Sequence, residues 1–139
     1  YGLDHGTLTF GPEDIAADIL VLEVMSMYCP FCQKEAEAVN VLDGLLKARQ
    51  GSNRIVLLGV AAGNSEFEAQ IFEDKFGTTF PLVPDPDFAL HTALGRVGTP
   101  FFYVIDLRGD APVVLLAELG RMESPEAFLE LILTATNLQ

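Results

Sequence analysis

The sequence predicts an α/β fold in which a mixed central sheet carries helices on both faces. Two observations lead there. Residues 19–26 and 55–62 are nearly continuous apolar runs, the pattern of strands buried on both faces, and a stretch of helical periodicity separates them. Parallel strands need such a crossover helix, so this part reads β–α–β. Further on, residues 101–106 and 113–119 are apolar runs joined through the turn Arg108-Gly109-Asp110. A helical stretch follows them, giving β–β–α.

The elements run in order as follows. Residues 7–10 alternate polar and apolar, as in a short edge strand that Gly11-Pro12 ends, and 13–18 form a brief helical or irregular link. After the strand at 19–26 comes Tyr28-Cys29-Pro30-Phe31-Cys32, then a helix to about residue 50. Ala36, Val39, Leu42 and Leu46 stand at helical spacing along it. Gly44 weakens that helix by up to ~1 kcal/mol relative to alanine and marks a bend. The second strand, 55–62, ends in the turn and cap Gly63-Asn64-Ser65, with a helix over 66–76. Residues 80–83 are a short extended piece, and Asp85 or Asp87 caps a short helix ending near Leu94. Phe101, Phe102 and Tyr103 read as strand core. Ser124-Pro125-Glu126 opens the last helix, with a cap and a proline at its first position.

The 139 residues suit a single domain, 1–139. No apolar stretch approaches the ~20 residues of a membrane helix, so the expectation is a soluble chain with no membrane segment of its own. Its first residue is Tyr1 rather than Met, which fits a leader or anchor removed from this chain. The net charge of −12 argues against a nucleic-acid partner, whose phosphates it would repel.

There are two cysteines, three positions apart. A bridge between them would close a tiny loop and add little through chain entropy. Zinc needs about four ligands, and beyond this pair the chain offers only His5 and His91 as nitrogen donors, so neither metal nor cofactor is expected. Both histidines read as ordinary surface or capping residues. A redox pair suits the placement better. Cys29 falls where a buried strand meets a helix start, near free N–H groups and the positive end of the helix dipole, which favours thiolate. Cys32, inside the first turn, would be the covered partner, and Pro30 suits the first helical position because it has no N–H to leave unpaired.

Glu23 lies in the middle of an apolar strand, on the face of Val21 and Met25. Burying it unpartnered would cost several kcal/mol, so it should be partly protonated or hydrogen-bonded, and it is a candidate proton acceptor for Cys32. The alternative is a glutamate reaching water at an edge. Glu35 and Glu37 read as solvated helix residues. Arg121 and Met122, after Gly120, carry no assigned role.

The stretch from Leu22 to Cys32, with Glu23 six residues before Cys29, resembles the active-site strand, loop and helix of the thioredoxin superfamily. Phe80-Pro81-Leu82-Val83-Pro84-Asp85 and the segment from Gly98-Thr99-Pro100 to Arg108-Gly109 resemble its redoxin, TlpA-like branch, over roughly residues 19 to 133. The resemblance implies a three-layer thioredoxin-like fold with an insertion between its two halves, and a cis-proline at Pro100 facing the disulfide. It implies dithiol–disulfide exchange in which Cys29 attacks, Cys32 resolves and Glu23 takes the proton. Thr99 and Pro100 would then hold the substrate backbone, with Tyr28, Pro30 and Phe31 around it. Expected partners are protein or peptide thiols and disulfides, and a redox partner that recycles the pair. The expected setting is the periplasm or another extracytoplasmic compartment, and the expected role a reductase or isomerase. A disulfide donor, a thiol peroxidase and a non-catalytic binding module on the same fold remain open.

Overall fold

In the computed structural model, residues 15–49 and 51–139 are described. The expected strand at 7–10, His5, and the helix end at residue 50 lie outside them. The first strand is β1 (Ile19–Met25), buried at every position, and α1 (Pro30–Ala48) follows. Then come β2 (Ile55–Ala62), α2 (Glu66–Phe76), β3 (Leu82–Asp85) and α3 (Ala89–Ala93). The chain ends through β4 (Phe101–Asp106), β5 (Val113–Leu119) and α4 (Pro125–Thr136).

The five strands form one sheet in the order β3-β2-β1-β4-β5. β1 and β2 are parallel, as are β2 and β3, whereas β4 runs antiparallel to both β1 and β5. This is the mixed sheet that the β–α–β and β–β–α halves require. Alternation along β1 divides the core between the two faces. Ile19 and Val21 pack with Val39, Leu42 and Leu46 of α1 and with Phe128 and Ile132 of α4. Met25 extends that face to Cys32, Ala36 and the α2 residues Ala69 and Phe72. Leu20 and Leu22 face the other way, where Leu58, Val60 and Ile105 join Leu90 and Leu94 around α3. Helices therefore lie on both faces.

Several boundaries differ from expectation. The helix α1 runs unbroken through Gly44, beside which a Cβ would meet nothing within 4 Å. Arg49 turns extended and caps α1, its guanidinium bonded to the Asn53 carbonyl and to the Gln139 oxygen. The extended piece expected at 80–83 begins pairing only at Leu82 and reaches Asp85. Pro84 sits inside it, tolerable because β3 is an edge strand with one ladder to serve. The N-cap of α3 is Phe88 rather than Asp85 or Asp87, but Asp85 satisfies the free amides of the helix start, its two carboxylate oxygens accepting from Leu90 and His91 at 2.9 Å each. Ser65 forms a reciprocal capping box with Glu68 at α2, and Ser124 caps α4 through the Ala127 amide. Phe102 is core, while Phe101 and Tyr103 are half-buried and stack at 4.8 Å on the α3 face.

Candidate active site

The central strand β1 delivers the chain through a three-residue turn to Cys29, which is the N-cap of α1. Its extended backbone (φ −84°, ψ 115°) lets the side chain fold back onto the helix start, where the sulfur accepts the Cys32 amide at 3.3 Å. The Cys29 amide itself donates to the Ser26 carbonyl at 3.1 Å. Pro30 occupies the first helical turn, where no N–H is missed. Both cysteines are free thiols, Cys29 half-buried and Cys32 buried.

The loop before β4 closes the site from the opposite side. The Thr99–Pro100 peptide bond is cis, as the resemblance implies, and the Thr99 carbonyl lies 3.5 Å from the Cys29 sulfur. Residues far apart in sequence thus meet at one sulfur: the α1 start and the β4 entry. Pro100 is buried, and its carbonyl accepts the Gly120 amide at 2.8 Å, tying this loop to the end of β5.

The two thiols are driven apart electrostatically. Burial works against ionisation of Cys29, but hydrogen bonds from Cys32, Thr99 and the Phe31 amide outweigh it and hold this thiol below its ordinary value. Burial pushes Cys32 far up. Its hydrogen bond to Cys29 and the charge of Glu23 add to that, while the Ser26 backbone opposes it. One cysteine thus gives up its proton more easily than an ordinary thiol and its neighbour far less easily.

Glu23 is 4% exposed, which removes the reading of an edge glutamate reaching water. Its strand neighbours are Gly59 and Phe102. Burial, then the charge of Glu35, then that of Cys29 raise its pKa to about 8. The carboxyl is therefore mostly protonated at neutral pH, as a carboxylate in an apolar strand requires.

Glu35 corrects the sequence reading. Expected in solvent with Glu37, it is 1% exposed, whereas Glu37 is indeed exposed. One carboxylate oxygen accepts the Met122 amide at 2.5 Å and the other faces the Arg121 guanidinium at 3.4 Å. Arg121 and Met122, left without a role, thus bind a buried acid that acts on Glu23. The signal was available: Cys32, Glu35, Val39 and Leu42 share the buried stripe of α1.

Tyr28, Pro30 and Phe31 stand exposed around the sulfur, Tyr28 at 67% and Phe31 at 58%. The Tyr28 hydroxyl bonds to Glu68 of α2, and the ammonium of Lys34 lies over the Phe31 ring. Beside Glu68 stands Phe67, 74% exposed, which sequence reading did not single out. His91 is half-buried on α3, with its Nε2 at 2.8 Å from the Val97 carbonyl. Among the described residues, no helix is long and apolar enough to cross a membrane.

No family model matches the chain. It is 30% identical over 113 residues to the thiol-disulfide oxidoreductase ResA of Halalkalibacterium halodurans, covering 80% of this chain and 60% of that protein. The chain spans about three fifths of the length of the curated relatives it matches. Among solved structures, the putative thiol:disulfide interchange protein DsbE of Chlorobium tepidum superposes with a TM-score of 0.71 at 22% identity, over 86% of this chain and 80% of that one. A secreted disulfide oxidoreductase of Mycobacterium tuberculosis, homologous to E. coli DsbE, gives 0.64 at 21% identity, over 87% and 82%. These likenesses show the fold: the five-stranded mixed sheet and its helices are thioredoxin-like.

Proposed function

We propose that this chain, a thioredoxin-superfamily protein of the TlpA-like redoxin type, is a thiol–disulfide oxidoreductase acting on protein or peptide disulfides. The observation that carries the reading is the asymmetry of the pair. Cys29 caps a helix with a donor at its sulfur, and Cys32 is buried behind it. The relatives named as thiol-disulfide oxidoreductases support the same chemistry.

The Cys29 thiolate attacks one sulfur of a substrate disulfide. A Cys29–substrate S–S bond forms, the substrate's own S–S bond breaks, and one substrate thiolate leaves. Cys32 then gives its proton to the Glu23 carboxylate and attacks the Cys29 sulfur. This closes the Cys29–Cys32 disulfide and releases the second substrate sulfur as a thiolate, which water protonates. The substrate gains two electrons that the pair loses, and an external dithiol partner must return them.

Glu23 is timed for this step. The Cys29 thiolate is one of the charges that keep Glu23 protonated. Once that sulfur is bound in the mixed disulfide its charge is gone, and Glu23 ionises more readily just when Cys32 needs a base. The Thr99 backbone, beside the sulfur, offers an extended substrate its hydrogen-bonding groups, and Tyr28 and Phe31 offer apolar contact. The chain works outside the cytoplasm as a reductase or isomerase, in keeping with the secreted disulfide oxidoreductase of Mycobacterium tuberculosis that shares its fold.

Reduction of insulin disulfides, driven by dithiothreitol and followed by precipitation of the free B chain, tests the reading. The native chain accelerates it and Cys29→Ser leaves it at background. Equal rates for the two would reduce the chain to a binding module on this fold.

A further inference from the structure

On the footing of that exchange chemistry, we infer that Asn64 is a positioning residue for Cys29, its buried side-chain amide holding the Ser26–Tyr28 turn that aims the sulfur. Asn64 lies at the corner between β2 and α2 and is 1% exposed. Its Oδ1 accepts the Met27 amide at 2.8 Å and its Nδ2 faces the Ser26 hydroxyl at 3.4 Å. The Met27 amide can only donate, which assigns the oxygen to that side.

The side chain is not needed for its own corner. The Asn64 backbone amide donates to the Ala61 carbonyl at 3.1 Å, and its carbonyl accepts the Asp85 amide at 3.2 Å. Gly63, at φ +70°, donates to the Asp85 carbonyl at 2.7 Å, and Ser65 caps α2 by itself. The backbone therefore closes the corner, and both ends of the Asn64 amide go to the active-site turn.

That turn holds the backbone of Cys29. The Ser26 hydroxyl also accepts the Tyr28 amide at 3.2 Å, and the Ser26 carbonyl accepts the Cys29 amide at 3.1 Å. Without Asn64 the Met27 amide loses its partner, and the turn is free to move the Cys29 sulfur off the Cys32 amide and away from Thr99. The geometry of attack depends on displacements of about 1 Å. The β2–α2 corner thus supports the nucleophile.

The test is the rate of Cys29 alkylation by iodoacetamide against pH, in reduced native chain and in Asn64→Ala. The ionisable groups around Cys29 are Cys32 on α1, Glu23 on β1, and the bonded pair Tyr28 and Glu68. The substitution adds or removes no charge among them. The midpoint should move up by about half a pH unit or more, the worth of one hydrogen bond. Insulin reduction should fall by about three- to tenfold. A role confined to stability would lower the melting temperature and leave the midpoint in place, which would overturn the inference. If Asn64→Ala does not fold, Ser26→Ala takes its place, with a smaller shift in the same direction, and an unmoved midpoint there has the same force. Alkylation requires no turnover. A native chain inert toward disulfides would therefore sink the exchange reading while the titration still decides the role of Asn64.

Discussion

Cys32→Ser converts the chain into a trap. Cys29 keeps its low proton affinity and still attacks a disulfide, but the serine hydroxyl cannot displace the substrate sulfur. The mixed disulfide, transient in the native chain, then persists for minutes to hours, on the order of uncatalysed disulfide rearrangement. Intact-mass measurement after mixing with a disulfide-bonded peptide should show one covalent adduct per chain, and peptide mapping should place it on Cys29. Steady turnover falls to background. The converse variant, Cys29→Ser, should form almost no adduct, because Cys32 is buried and holds its proton tightly. An adduct forming equally well on Cys32 would reverse the assigned roles.

Glu23→Gln should change both stability and rate, and pH separates the two. The folded chain binds the Glu23 proton up to a pKa of about 8, against 4.5 for an ordinary carboxyl. Between those values the native state holds more protons than the unfolded state. Stability is therefore fully present below pH ~4.5 and falls as pH rises through 8. Those ~3.5 pH units, at about 1.4 kcal/mol each, set an upper bound of about 5 kcal/mol, which relaxation and water entry reduce. Urea unfolding of the oxidised chain removes the cysteines' own titration; there burial and Glu35 hold Glu23 up without the Cys29 charge, so the effect lies below that bound. The native chain should lose stability from pH 5 to pH 8.5, and Glu23→Gln should lose much less and be the more stable at the alkaline end. With its base removed, resolution by Cys32 should slow by about 10- to 100-fold. Parallel stability curves would show that Glu23 ionises as an ordinary surface acid does.

Much of the fold was legible because burial wrote it into the chain. A strand covered on both faces must be almost wholly apolar, and β2 and, but for Glu23, β1 are. Capping residues announced α2 and α4 for the same local reason. The extent of β3 was less visible, since Pro81 and Pro84 disguise a short edge strand as a loop. At the site, Cys29, Cys32 and Glu23 stood out because each violates or punctuates an apolar pattern. Glu35 did not, since a glutamate on a helix ordinarily faces water, and the partners that justify its burial lie 86 and 87 positions away. Asn64 was read only as turn chemistry after Gly63. What distinguishes it is a pair of bonds to residues 37 and 38 positions upstream, which no local pattern records.

The central claim is that the fold makes two chemically different thiols out of a symmetric pair of residues. It rests on a helix cap for one sulfur and burial for the other. Brief alkylation of the reduced chain near pH 7, followed by mass mapping of the label, measures this directly. Cys29 should carry nearly all of the label, with a titration midpoint below the ~8.5 of a free thiol, while Cys32 reacts only after unfolding. Equal labelling of the two, or label on Cys32 first, would contradict the account.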